Sequence, residues 1–302
     1  AADGPNLREY LGDVAWYLDI LTDASPGGLE LIGTPFRVEI PGNWKLPVEN
    51  AIGDGYHVTW AHAGAMSVLV AQAMENASVL GIGLSNSTFD PSTSVEVVVG
   101  PHTVLSGLDG RSGYIAYQDP GPGIAYTESN RPNVIARLGE LRGAQMYGSE
   151  MHIGIFPNVQ IIQGLNFIRV IHQRGPGRFE VWTFVMVERD APQEVKDIIR
   201  AHIVKTFGPA GMLEGDDGDF AEAITHSADG YATRHERGYL GMGLGRQVPW
   251  EGPGVASPGI VNEHCQRAFY RQWRHALTAP DLASLVAGPP GDGAPARLSL
   301  SS

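Results

Sequence analysis

Asp54, His57 and His62 stand close together in the spacing D-x-x-H-x-x-x-x-H, within the stretch NWKLPVENAIGDGYHVTWAH (43–62). Polar groups here interrupt a run otherwise apolar enough to be core. Neutral imidazoles are the commonest protein ligands for metals, and a neighbouring carboxylate can orient them. The spacing sets a geometric problem. Asp54 and His57, three apart, share a helix face, but His57 and His62, five apart, project about 140° from one another on a regular α-helix. They can grip one ion only if the helix is broken or widened, so a non-α irregularity is expected between them, a π bulge being one form.

Two histidines are an incomplete metal site, and the best source of a third ligand is LEGDDGDF (Leu213–Phe220), with Glu214, Asp216, Asp217 and Asp219 crowded at the entry of a helix expected over about 216–228. Acids at a helix entry also complement the dipole and cap free N–H groups. That use accounts for Asp216 and leaves Asp217 free. Two imidazoles and one carboxylate on one side of an ion, with open positions opposite, form the facial triad of non-haem Fe(II) oxygenases. A zinc-dependent hydrolase can use the same donors. In a third reading the domain binds an apolar ligand without metal, and His57 and His62 are hydrogen-bonded core residues.

The elements around these residues indicate one sizeable domain. The 302 residues are 43% hydrophobic, with no apolar run near the roughly 18 needed to span a bilayer. A net charge of −12 argues against sequence-independent nucleic-acid binding, which needs Lys and Arg to neutralise phosphates. The start, AADGPNLREYLGD, carries no secretory signal and no Met, and reads as the beginning of a fragment. Cys265 is the only cysteine, so internal disulfides are excluded and a reducing compartment, the cytoplasm, is the default expectation. Apolar spacing predicts a helix over 6–22, a strand at 36–40 and helix over 49–80. Gly, Pro, Ser and Asn make 81–135 a region of loops and short elements around a strand at Val95–Val99. Period-two runs over 151–188 predict an antiparallel meander, followed by helices at 192–207 and 261–278 and a poorly ordered Pro/Gly/Ser-rich tail over 279–302. The predicted fold is α+β, a twisted antiparallel sheet packed by helices.

Taken together, these segments resemble the catalytic domain of the α (large) subunit of Rieske non-haem iron aromatic-ring-hydroxylating dioxygenases, in the naphthalene and polycyclic aromatic hydrocarbon branch. NWKLPVENAIGDGYHVTWAH is similar to the family's iron-binding helix, and TFGPAGMLEGDDGDF (206–220) to the segment supplying its carboxylate ligand. EYLGDVAWYLD, IFPN, VWTFVMVERDAP and RAFYRQWRHAL extend the likeness over most of the chain. The resemblance implies the family's helix-grip-like fold for residues 1–278 as a mononuclear iron catalytic domain. It implies Fe(II) held by His57, His62 and Asp217, with Asp54 bridging a ligating histidine to the Rieske centre of a neighbouring α subunit and Asn50 close to the iron. Ala51, Ile52, Val58, Ile155, Ile162, Phe207 and Leu213 match pocket positions, and His152 lies near a position where some relatives carry Asn.

The implied activity is addition of both atoms of O2 to a polycyclic aromatic hydrocarbon, giving a cis-dihydrodiol. Electrons come from NADH through a reductase, a ferredoxin and a Rieske centre. The implied assembly is α3 or α3β3 with a small β subunit. A [2Fe-2S] Rieske cluster needs two Cys and two His. With one cysteine this chain cannot bind it, so a catalytic-domain fragment that holds iron without turning over on NADH alone is expected. Leu213 replaces an aromatic common in relatives, which implies a wider pocket suited to three- or four-ring substrates. Outside the site, Lys45 and Glu49 are expected to form an ion pair or interface contacts, and Cys265 to be an inert core residue. The remaining histidines are expected to be surface or satisfied polar groups.

Overall fold

The computed structural model describes residues 4–80, 94–107, 121–146, 151–236 and 238–288. Its frame is a sheet of β1 (Leu29–Ile40), β2 (Ser94–Val99), β3 (His102–Gly107), β4 (Met151–Ile155), β5 (Val159–Gln163), β6 (Phe167–Gln173), β7 (Phe179–Glu188) and β8 (Val255–Pro258). These lie in the order β1-β7-β6-β5-β4-β3-β2-β8, every neighbouring pair antiparallel. Strands β4 to β7 are the meander that period-two alternation predicts. β1 begins earlier than its FRVEI segment suggests, because a register shift between Ile32 and Phe36 lets the strand pass a bulge and keep pairing with β7.

Helices cover both faces of the sheet, which explains why β2 and β3 are buried at every position. Val95, Val97 and Val99 of β2 pack with Val14, Tyr17 and Ile20 around α2 (Ala15–Asp23), which follows the short α1 (Leu7–Leu11). Val98, on the opposite side of the same strand, packs with Val48 and Ile52 of α3 (Lys45–Gly53) and with Cys265 and Phe269 of α10 (His264–Ala276). A third cluster joins Ile162, Phe167 and Val185 of the sheet to Ile199, Ile203 and Phe207 of α8 (Gln193–Phe207) and to Leu213 of α9 (Met212–Ala228). The site helices α3, α4 (Val58–Ala61), α5 (Ala63–Leu80) and α9 therefore share the sheet face opposite α2.

Two regions differ from expectation. Residues 122–135, within the presumed loop region, are helix: α6 (Pro122–Leu138), followed beyond that region by α7 (Glu140–Met146). Pro122 sits in the first turn of α6, where a missing N–H costs nothing, and the interior Pro132 is tolerated within a helix whose Val134 and Leu138 are buried against the α2 cluster. Residues 81–93 and 108–120 of that region lie outside the described residues. At the C-terminus the region expected as a tail carries a short helix before Gly288. α11 (Leu282–Ala287), capped by the Asp281 carboxylate, docks on α10, where Gln272 and His275 meet the Leu285 and Ser284 carbonyls. The rest of the tail lies outside the described residues.

Candidate metal centre

The local backbone of 45–63 solves the five-residue spacing. α3 ends at Asp54, whose ψ of 60° leaves the helical range, and a 3-10 turn over Gly55–His57 follows. The Asp54 carboxylate caps that turn by accepting from the His57 N–H at 3.2 Å. One α turn, α4, separates His57 from His62, and His62 (φ −101°, ψ 13°) breaks the chain again before α5. The expected irregularity is present as breaks flanking α4 rather than as a π bulge. As a result the two imidazoles stand 5.1 Å apart, centre to centre.

Asp217 reaches the same point from α9. Its Oδ1 lies 3.2 Å from His62 Nε2 and 3.8 Å from His57 Nε2, and it accepts a 2.8 Å hydrogen bond from Asn50 Nδ2. One ligand atom from each of His57, His62 and Asp217 falls within 4.8 Å of the others. The opposite ring nitrogens are held by acceptors. His57 Nδ1 meets the Asp54 backbone carbonyl, with the Asp54 carboxylate at 3.9 Å, and His62 Nδ1 meets Asp216 Oδ2 at 3.1 Å. Acceptors at both Nδ1 atoms favour the Nδ1–H tautomer once an ion takes the Nε2 atoms, which converge beside Asp217. Two neutral imidazoles and a carboxylate converging in this way are donors that fit a divalent cation.

Asp216 corrects the sequence expectation. α9 starts at Met212 with Gly211 at its cap, so Asp216 lies inside the helix and orients His62 instead of capping. The two adjacent acids are thus divided, one to the common point and one to the ring behind it. Sequence reasoning missed this role; its only signal was the paired Asp. Burial pushes the Asp217 carboxyl up, yet His62, His57 and Arg169 outweigh it and hold Asp217 below the ordinary range. Burial likewise pushes His62 down, while Asp217 and Asp216 more than reverse it. Asp54 is lifted by burial, with the nearby His57 opposing.

The apolar positions do not all come together. Ile162, Phe207 and Leu213 come together in the cluster below α9, with Leu165, Phe167 and half-buried Ala65, which sequence reading did not single out. His152 pairs directly with Ile162 across β4 and β5 and is half-buried. Ala51 is buried on α3 beside Asn50, and Val58 is half-buried beside His57. Ile52 is core, packed between α3 and the sheet. Ile155 does not join the others: it packs in the α2 cluster with Ile153, on the other face from His152. The expected Lys45–Glu49 pair is also absent. Lys45 Nζ donates to Asn43 Oδ1 and lies 4.9 Å over the Trp273 ring, while Glu49 accepts from Tyr270 at 2.5 Å.

Residues 7–279 match the family described as the ring hydroxylating alpha subunit, catalytic domain. The chain belongs to this family. It is 31% identical over 286 residues to the large oxygenase component of the naphthalene 1,2-dioxygenase system of a Ralstonia species, and 32% identical over 305 residues to the biphenyl 2,3-dioxygenase alpha subunit of Rhodococcus jostii. Those alignments cover 93% and 96% of this chain and 62% of each relative, so the chain spans less than two thirds of the curated relatives' length. A solved naphthalene 1,2-dioxygenase with indole in its active site superposes with a TM-score of 0.79 at 28% identity, over 94% of this chain and 63% of the other. This agreement carries the sheet order and the helices on it, and bears out the α+β, ring-hydroxylating reading.

Proposed function

We propose that this chain is the catalytic part of an aromatic-ring-hydroxylating dioxygenase large subunit acting on an aromatic hydrocarbon, with residues 1–278 as the iron domain. The observation that carries the reading is the convergence of His57, His62 and Asp217 on one point, in a chain of this family. His57 and His62 would hold ferrous iron through Nε2 and Asp217 through its carboxylate. Bound there, iron supplies the redox chemistry by which both atoms of O2 add to one ring face, giving a cis-dihydrodiol.

The protein's own residues do the rest. Asp54 and Asp216 hold the imidazoles by Nδ1 with their Nε2 atoms toward the common point, which reduces reorganisation on binding. Asn50 occupies one lone pair of Asp217 Oδ1 and so fixes that carboxylate. Ile162, Phe207 and Leu213 give an apolar wall beside the ligands, suited to holding a hydrocarbon ring and excluding water. Leu213 in place of an aromatic favours three- or four-ring substrates, and a preference for naphthalene over phenanthrene would refute that part.

Electrons must come from outside the chain. A Rieske [2Fe-2S] centre needs two cysteines, and Cys265 is alone and buried. We assign Asp54 as the bridge to such a centre on a neighbouring α subunit, in an α3 or α3β3 assembly with a small β subunit, fed by NADH through reductase and ferredoxin. Among the described residues no helix is long and apolar enough to cross a membrane; a cytoplasmic location is part of the proposal. The deciding experiment is metal analysis of anaerobically purified protein and of Asp217→Ala. Iron near one per chain, lost in the variant, supports the reading; zinc in its place would return the hydrolase alternative, and no metal the apolar-ligand one.

A further inference from the structure

Behind the three ligands lies an ion pair between Arg169 of β6 and Glu214 of α9, with both side chains at or below 5% exposure. The guanidinium packs 5.1 Å from the Phe167 ring centre and 4.9 Å from that of Phe207, and its Nε reaches Thr183 Oγ1 at 3.4 Å. Glu214 lies one helical turn before Asp217, and residues three apart on a helix are surface neighbours. Glu214 and Asp217 thus share one helix face, and Glu214 is the one that engages the buried cation. Arginine cannot discharge itself by losing a proton, so the buried guanidinium requires an anionic partner.

We infer that Glu214 is a positioning residue whose task is to keep the Arg169 guanidinium engaged, so that the Asp217 carboxylate stays free for a metal ion. The inference rests on Asp217 being a ligand. If Glu214 is neutralised, Arg169 keeps its charge and Asp217 becomes the closest acid on the same helix face. A guanidinium fork matches a carboxylate well, and it would then compete with the ion. The role is specific to the pair: remove Arg169, and Glu214 has nothing left to restrain.

The test is a cycle on the full chain comprising the unaltered protein, Glu214→Gln, Arg169→Met and the double variant. Fe(II) affinity is read anaerobically by competition with a chromophoric chelator, and Tm is read without metal. Glu214→Gln is expected to bind Fe(II) at least about tenfold more weakly, and the double variant to return to within roughly threefold of the unaltered protein. A pair that only braces the fold would lower Tm and leave Fe(II) affinity unchanged, which overturns the inference, as does a double variant no better than Glu214→Gln. Should Glu214→Gln fail to fold, Arg169→Met is compared with the double variant. Equal affinity supports the inference, and a tenfold loss shows that Glu214 acts on Asp217 directly and overturns it. Separately, if Asp217→Ala binds Fe(II) as well as the unaltered chain, the ligand assignment itself fails.

Discussion

Replacing Asp216 with alanine tests whether the metal centre is organised before it is filled. Asp216 Oδ2 holds His62 Nδ1 at 3.1 Å, and His62 is 5% exposed, so the ring has little room to find another acceptor unaided. Removing a partner behind a ligating histidine costs about 10 to 100-fold in metal affinity. Asp216 itself is 37% exposed, which lets water take the vacated place and puts the loss at the lower end. About tenfold, or about 1.4 kcal/mol, is therefore expected. Asp216→Asn keeps a side-chain oxygen able to accept from Nδ1–H and should lose roughly threefold or less. Anaerobic Fe(II) competition reads both variants, with metal-free Tm as the control for folding. Alanine and asparagine variants of equal affinity would refute the reasoning, because the hydrogen bond would then play no part.

Asp54→Ala should keep Fe(II) affinity within roughly threefold, since His57 Nδ1 rests on the Asp54 backbone carbonyl, but should abolish turnover in the complete enzyme. Loss of all iron would instead make Asp54 a ligand or a structural residue. Glu96, fully buried on β2, has its carboxyl pushed up to about 8 by burial, so between the ordinary 4.5 and 8 the folded protein holds a proton that the unfolded chain has released. Its contribution to stability is full below pH 4.5 and lost as pH rises through 8; the urea midpoint should fall less across this window in Glu96→Gln, and equal slopes would count against it. Gly154→Ala would place a methyl 2.5 Å from Ile52 Cγ2 and from Thr103 Oγ1, forcing α3 off the sheet at about 1–3 kcal/mol. Chemical denaturation should show partial recovery in Gly154→Ala/Ile52→Ala, and no recovery would mean that Ile52 is not the obstacle.

The candidate site was legible where its information is local. Asp54, His57 and His62 lie on one short segment, and the mismatch between their spacing and the helical period required a break there. β4 to β7 were legible because alternation survives in strands with two distinct faces. Tertiary placement was not legible. Asp216 orients His62 only because α9 crosses α4, and Glu49 and Lys45, correctly spaced for an ion pair, are each taken by partners from other elements. α6 was hidden by Pro122, Gly123 and Pro132, which read as breakers until packing is known. Ile155 is a different failure. Positions 152 and 155 are an odd number apart on a strand, so alternation already placed them on opposite faces, and the rule was available without a structure.

The break that unites the ligands is itself held by packing rather than by local preference alone. A Cβ on Gly53 would lie 2.5 Å from Cys265 Cβ, and one on Gly55 would lie 2.9 Å from Ile260 Cβ, so the backbone on either side of Asp54 is pressed against the segment leading into and starting α10. Glu96 accepts from the Cys265 N–H and ties that helix start to β2. Sheet, α10 and the turn therefore form one rigid contact chain ending at Asp54. The consequence is functional. Asp54 presents its carbonyl to His57 from a position that no ligand needs to create, and its carboxylate, 3.9 Å from the same ring, accepts from the His57 N–H. The residue that caps the break is thus held rigidly against the ring of His57, which is what the bridging role proposed for it requires.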